Sequence, residues 1–299
     1  MVGKRRFRYS VESGFDLRLV LFSHGWIDLE PFSWSEDDQQ LMGVLPIGRK
    51  AVDFSLRQSG DALVATVASQ RALTASEAEK ARALVPRMLR LDEELGEFWV
   101  ICERTPRLSW VAARGGGRIF RCPSVFEDLM KLLFTTNCSW AATKLMTSRL
   151  IAALGSKAPS GRRAFPSAAK CAAQDESFYR EVVRTGYRAV SCIGLAKKFA
   201  TGEVDEAWFA DRSLPIDGLR ERLLALPGFG PYAAGQAMRT LGHYKDLALD
   251  SWCRARLATM AGKKKPPSDK TVARRYASFH PYDGLALWMD LTAEWHGEG

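Results

Sequence analysis

A glycine turn and one carboxylate stand out among the residues able to do chemistry. Pro227-Gly228-Phe229-Gly230 breaks an otherwise helical pattern, because glycine reaches backbone angles that a Cβ forbids. Pro231 suits the first position of the next helix, where its missing N–H is not needed. Such a turn leaves free backbone N–H groups at a helix N-terminus, which suits an anion. Asp250 follows 18 residues after Tyr232, directly before Ser251-Trp252-Cys253-Arg254, where its position and type fit an N-cap. A phosphate grip with a carboxylate nearby points to chemistry on a nucleic acid.

Composition agrees with a polyanionic partner. The chain has 299 residues, 46% apolar, enough for one large core or two to three smaller ones. Charged residues make up 26%, which argues against wholesale disorder, and the net charge is +9. The basic start MVGKRRFRYS has no apolar run behind it, so no signal peptide is expected, and no stretch has the roughly 20 apolar residues of a membrane span. Six cysteines and four histidines are scattered without a CxxC pair, so neither zinc nor an iron–sulfur cluster is expected. The chain reads as reduced, cytoplasmic and monomeric.

The elements that must position these residues are legible in part. The alternation of Phe15, Leu17, Leu19 and Leu21 predicts a half-buried strand, followed by an irregular aromatic segment with Trp26, Phe32 and Trp34. AVDFSLRQ and ALVATVA flank Ser59-Gly60-Asp61, a hairpin signal. The first seventy residues therefore predict a small antiparallel sheet. Thr74 to Glu77 is a capping box, and a second helical run spans about 92–102. Arg114 to Gly117 reads as a hinge between subdomains. A second capping box at Ser124 to Glu127 opens a helix that breaks at Thr135-Thr136-Asn137 and resumes at Ser139, with a polar tip between. Residues 156–167 form a loop, Gly186-Tyr187-Arg188 interrupts later helices, and Lys263 to Lys265 lie in a surface loop. The expected fold class is α+β, mainly α: a sheet domain with flanking helices over 1–112 and a helical body over 113–299. That body divides into lobes 113–215 and 216–299 that share helices.

Several stretches together resemble the helix-hairpin-helix DNA glycosylase superfamily. LPGFGPYAAGQ is similar to its hairpin, and LALDSWCRAR to the loop carrying its catalytic aspartate. TGYRAVSCIGLAKKF and FEDLMKLLFTTNCSWAAT match segments shared by the 8-oxoguanine and bacterial 3-methyladenine branches, and HPYDGLALW is similar to the last helix of the former. The resemblance covers residues from about 90 onward well and the N-terminal sheet more loosely.

The resemblance implies specific roles. Asp250 would stabilise positive charge on the deoxyribose and orient water as the base leaves. Tyr232 stands where strand-cutting members carry a lysine, and no lysine lies between Arg220 and Lys245. A phenol cannot form an imine, so a monofunctional enzyme leaving an abasic site is expected. Asn137 would fill the gap left by the flipped base, and Arg188 would contact the orphaned partner. The base pocket would use Tyr232 and Gln236, one turn apart, with Leu287 and Leu291 on its far wall and Trp26, Phe32 and Trp34 entering from the sheet; Trp252 and Trp288 are expected in the core. Gly228, Gly230 and Pro231 would hold a phosphate, with Arg254, Lys263 and Lys264 adding charge. No side-chain metal or cofactor is implied; a monovalent cation on the hairpin backbone is a family feature. The partner would be double-stranded DNA carrying a damaged base. Alkylated purines are the first expectation. Oxidised, deaminated or otherwise modified bases, or a non-catalytic role on lesions or bent DNA, are the alternatives.

Overall fold

A computed structural model describes residues 3–210 and 215–298. Its N-terminal part is a five-stranded antiparallel sheet built from β1 (Gly3–Ser10), β2 (Ser33–Ser35), β3 (Gln40–Ile47), β4 (Lys50–Gln58) and β5 (Ala62–Ser69), in the order β1-β5-β4-β3-β2. The predicted hairpin is β4–β5, closed by Ser59 donating its N–H to the Ala62 carbonyl at 2.8 Å, with Gly60 at φ +58°. One face carries Leu41, Val52, Phe54, Leu56, Leu63 and Val67 into the core. The edge strand β1 exposes Arg5, Arg6 and Arg8, a charge pattern that discourages further pairing.

The segment expected as a strand at Phe15–Leu21 is instead the short helix α1 (Leu17–Leu21). Asp16 caps it by accepting from the Leu19 N–H at 3.0 Å. Leu17, Leu19, Val20 and Leu21 are buried and Arg18 alone is exposed, and a five-residue segment is too short to reveal a helical period.

Helices make up the remainder. The predicted capping box opens α2 (Ala75–Leu89), with both reciprocal bonds between Thr74 and Glu77 present. Then follow α3 (Gly96–Glu103) and α4 (Ser109–Ala113). At α5 (Val125–Thr135) only half of the expected box forms: Ser124 accepts from the Glu127 N–H, but the Glu127 carboxylate pairs with Lys131 Nζ at 2.6 Å. That ion pair is fully buried, because α5 is the central helix of the body. The chain breaks after Thr135 and resumes at α6 (Trp140–Leu154), as the polar tip predicts. After α7 (Ala168–Ala172) and a π turn at Phe178–Val183 come α8 (Ala189–Ala200) and α9 (Ile216–Leu224). The hairpin's second helix is α10 (Pro231–Leu241), and α11 (Ser251–Met260), α12 (Asp269–Tyr276) and α13 (Asp283–Thr292) complete the chain.

Two main cores result. One joins the sheet, α2, α5, α6, α8 and the hairpin. The other joins Leu95, Phe98 and Leu108 to Leu257, Tyr276, Leu285 and Leu287, so α3 and α4 pack with the C-terminal helices. The turn at Gly115 and Gly117 lies between these partners, with Arg114 donating to Asp16 at 3.0 Å and to the His296 carbonyl at 2.8 Å. No helix among the described residues is long and apolar enough to cross a membrane.

Candidate active site

The hairpin turn is seated by close approaches that need glycine. Gly228 sits at φ +79°, and a Cβ there would lie 2.6 Å from Ser191 Oγ on α8 and 3.0 Å from Leu133 on α5. Gly230 caps α10, Pro231 takes its first position, and nothing lies within 4 Å of a Cβ built on Gly230. The first-turn N–H groups of α10 thus start beside an exposed, unobstructed backbone, the geometry of an anion site.

Asp250 caps α11, accepting from the Cys253 N–H at 2.7 Å. The loop before it, 243–250, is clamped onto α10. Gly235 lets it approach, since a Cβ there would lie 2.8 Å from the Ala248 methyl. Gln236 Nε2 donates to the Ala248 carbonyl at 3.4 Å, and Arg239 donates to the Leu247 carbonyl at 3.1 Å and to Gln236 Oε1 at 3.0 Å. Ala248 is held in the left-handed region at φ +47°, its N–H donating to Asp246 at 2.8 Å. Backbone strain held by this many contacts fixes where the carboxylate points. Gln236, expected only as a pocket residue, therefore also positions Asp250.

Asp250 opens onto a cavity of about 1050 Å³ between the hairpin, the α5–α6 tip and the sheet domain's turn at Gly25–Asp28. Of the residues expected at a base site, Asn137, Trp26, Tyr232, Gln236 and Asp250 line it together. Tyr232 is largely buried; desolvation raises its phenol pKa, with the Asp250 charge adding, against a hydrogen bond with Thr135. Burial, helped by Asp250, likewise pushes the Cys253 thiol up to about 12, which leaves it inert as a nucleophile.

Several expectations are corrected. Leu287 and Leu291 are fully buried in the second core; the wall on α13 is Trp288, one residue further round the helix than Leu287. Trp288 and Trp252 do not sit in the core but line the cavity with Trp295, their rings 5.6–5.9 Å apart. The Arg239 guanidinium lies 4.6 Å from the Trp288 ring, and the indole donates to the Ser23 carbonyl at 2.8 Å. Phe32 is buried against Phe120 and over Gly43, and Trp34 packs by Phe22; neither reaches the lining.

The tip residues hold one another. Asn137 is exposed at φ +45°, a backbone state that asparagine tolerates, and donates to the Tyr187 hydroxyl at 3.3 Å. Arg188 is buried; it donates to Thr136 Oγ1 at 3.1 Å, to the Thr136 carbonyl and to the Thr185 carbonyl, bracing the tip from behind. Arg254 is paired with Asp269, whereas Lys263 and Lys264 are exposed.

His24, Trp140 and Arg239 are site residues that the sequence did not signal. Trp140 lies flat on Gly25, where a Cβ would approach its ring to 2.5 Å, and it donates to Asp28 at 3.2 Å, forming the cavity rim. His24 is pushed down to about 4 by burial, with the nearby Arg239 and Lys131 charges also lowering it and the Phe120 carbonyl and Asp128 opposing. The unfolded chain protonates this imidazole near its ordinary 6.5, so the unfolded state binds the extra proton between pH 6.5 and 4. Its contribution is complete above 6.5 and is lost as the pH falls toward 4. Urea unfolding should show wild type losing ~2 kcal/mol more stability than His24→Asn between pH 7.5 and pH 4.

The sheet-led helical body, with its hairpin and a capping aspartate on the next helix, has the fold of the helix-hairpin-helix DNA glycosylase superfamily. Among solved structures it is similar to the apo form of Clostridium acetobutylicum 8-oxoguanine glycosylase/lyase (TM-score 0.73, 19% identity, covering 97% of this chain and 98% of that one). The same enzyme with DNA holding cytosine opposite 8-oxoguanine gives TM-score 0.72 at 18% identity over 99% and 98%. Archaeoglobus fulgidus 3-methyladenine DNA-glycosylase gives 0.76 at 15% identity over 96% and 98%. No family model and no curated protein matches the sequence.

Proposed function

We propose that the protein is a monofunctional DNA N-glycosylase of base excision repair. It flips a damaged base, with an alkylated purine favoured, into the cavity and hydrolyses its glycosidic bond with help from Asp250, leaving an abasic site. The observation that carries the reading is the placement of Asp250. Its carboxylate is held by a helix cap and a clamped loop at the mouth of an aromatic-walled cavity, beside a hairpin turn whose free helix N-terminus suits a phosphate. Positive charge builds on the sugar as the base departs, and a preorganised anion stabilises it without reorganising. Asn137, on the exposed tip, would enter the stack where the base leaves it.

Two features support the finer points. The indoles of Trp252, Trp288 and Trp295 offer π faces to an electron-poor ring, and the neutral His24 adds no opposing charge to a cationic base. Tyr232, in place of a lysine, removes the amine that a lyase needs. A second reading, excision of oxidised or deaminated bases, is favoured by the likeness to 8-oxoguanine glycosylase/lyase structures.

The deciding experiment is excision from duplexes carrying a panel of defined lesions, with abasic sites revealed by alkali. Alkylated purines should be released and borohydride should trap no protein–DNA adduct. Release of oxidised guanine alone would favour the second reading, and a trapped adduct would remove the monofunctional assignment.

A further inference from the structure

The segment Ser23–Trp26 is tied to the residues leading into α5 by bonds that fix each side chain. Ser23 Oγ accepts from the Phe120 N–H at 3.0 Å, and the Trp26 indole donates to the buried Asp128 at 2.8 Å, which also accepts from the Cys122 N–H. His24 stands between them, its Nε2 2.6 Å from the Phe120 carbonyl and its ring 4.8 Å from that of Trp26. A carbonyl oxygen can only accept, so Nε2 carries the proton and Nδ1 of the neutral ring is a bare acceptor. Among the described residues Nδ1 makes no hydrogen bond and is not sealed from solvent, and His24 lines the cavity next to Ser23, whose carbonyl accepts from the Trp288 indole at 2.8 Å. The ring cannot turn to offer a donor instead without breaking the bond to Phe120.

We propose that His24 Nδ1 is a specificity determinant: it accepts a hydrogen bond from an N–H on the edge of the flipped base, and so selects purines with an amino or ring N–H donor there. The inference rests on the cavity being the base site. A base lacking the donor would leave Nδ1 dehydrated and unpaired, which costs more than a hydrogen bond gains. The device reads shape and donor pattern and is separate from Asp250, which acts on the sugar.

The cavity's tryptophans provide a readout that needs no catalysis. Fluorescence quenching measures binding of free 3-methyladenine against its N6,N6-dimethyl derivative, and of hypoxanthine against 1-methylhypoxanthine. Wild type should prefer the N–H form of at least one pair by ~10-fold or more. His24→Leu should lose most of that preference, chiefly by weaker binding of the N–H form. His24→Asn lacks the reach to Phe120 but keeps an oxygen near the Nδ1 position, and should retain the preference. Thermal unfolding of both variants controls for the shared loss of the Phe120 bond. Equal preference in wild type and His24→Leu would overturn the inference while leaving the base site standing. If no free base binds wild type, the base-site reading and the inference fall together.

Discussion

Asp250→Asn should slow base release by about 10²–10³-fold while leaving duplex binding and stability nearly unchanged. Asparagine caps helices as well as aspartate does, so the 2.7 Å bond from the Cys253 N–H survives and α11 keeps its place. The substitution removes the charge alone. Asp250→Ala would be less informative, because loss of the cap costs about 1 kcal/mol and blurs the result. Single-turnover excision with alkali detection gives the rate, and gel shift on the same duplex gives the affinity. Unimpaired excision by the asparagine variant would remove the carboxylate from the mechanism and leave a lesion-binding protein as the better account.

The second large effect lies where the first turn of α13 meets the loop over 243–250 that carries Asp250. Gly284, in the first turn of α13, donates to the Tyr244 carbonyl at 2.7 Å, and a Cβ built on it would lie 1.9 Å from the Asp246 carbonyl oxygen. Backbone on both sides blocks relief by side-chain rotation. Gly284→Ala must therefore push the 243–250 loop off α10, at a cost of about 3 kcal/mol in urea unfolding. Excision should fall about 100-fold, because displacing a catalytic group by an ångström is that costly. Gly218→Ala is the matched control: nothing lies within 4 Å of its Cβ in α9, and helix propensity favours alanine by about 1 kcal/mol. Equal behaviour of the two variants would mean the loop tolerates displacement.

Elements with strong local signals were readable along the chain. The Thr74–Glu77 box, the β4–β5 hairpin, the helix break before Ser139 and the Gly228–Gly230 turn each depend on bonds within a few residues. Strands β1 and β3 were not anticipated, since β1 is a charged edge and β3 carries Gly43 and Pro46 within its pattern. Helix α1 reads as a strand because five residues with one exposed side chain, Arg18, are too few to show a helical period.

For the site, local chemistry alone settled that Asp250 caps a helix and that the hairpin opens another. It also left Tyr232, not lysine, beside them. The tertiary structure decided which residues share the cavity with them. Placing Trp288 instead of Leu287 on its wall needed a rotation of α13 set by contacts with α11, α12 and the Pro106–Leu108 turn, and placing His24 needed a bond to Phe120 almost a hundred residues away. Caps and turns are satisfied by neighbours in sequence, whereas the phase of a helix and the tautomer of a ring are set by whatever the fold packs against them.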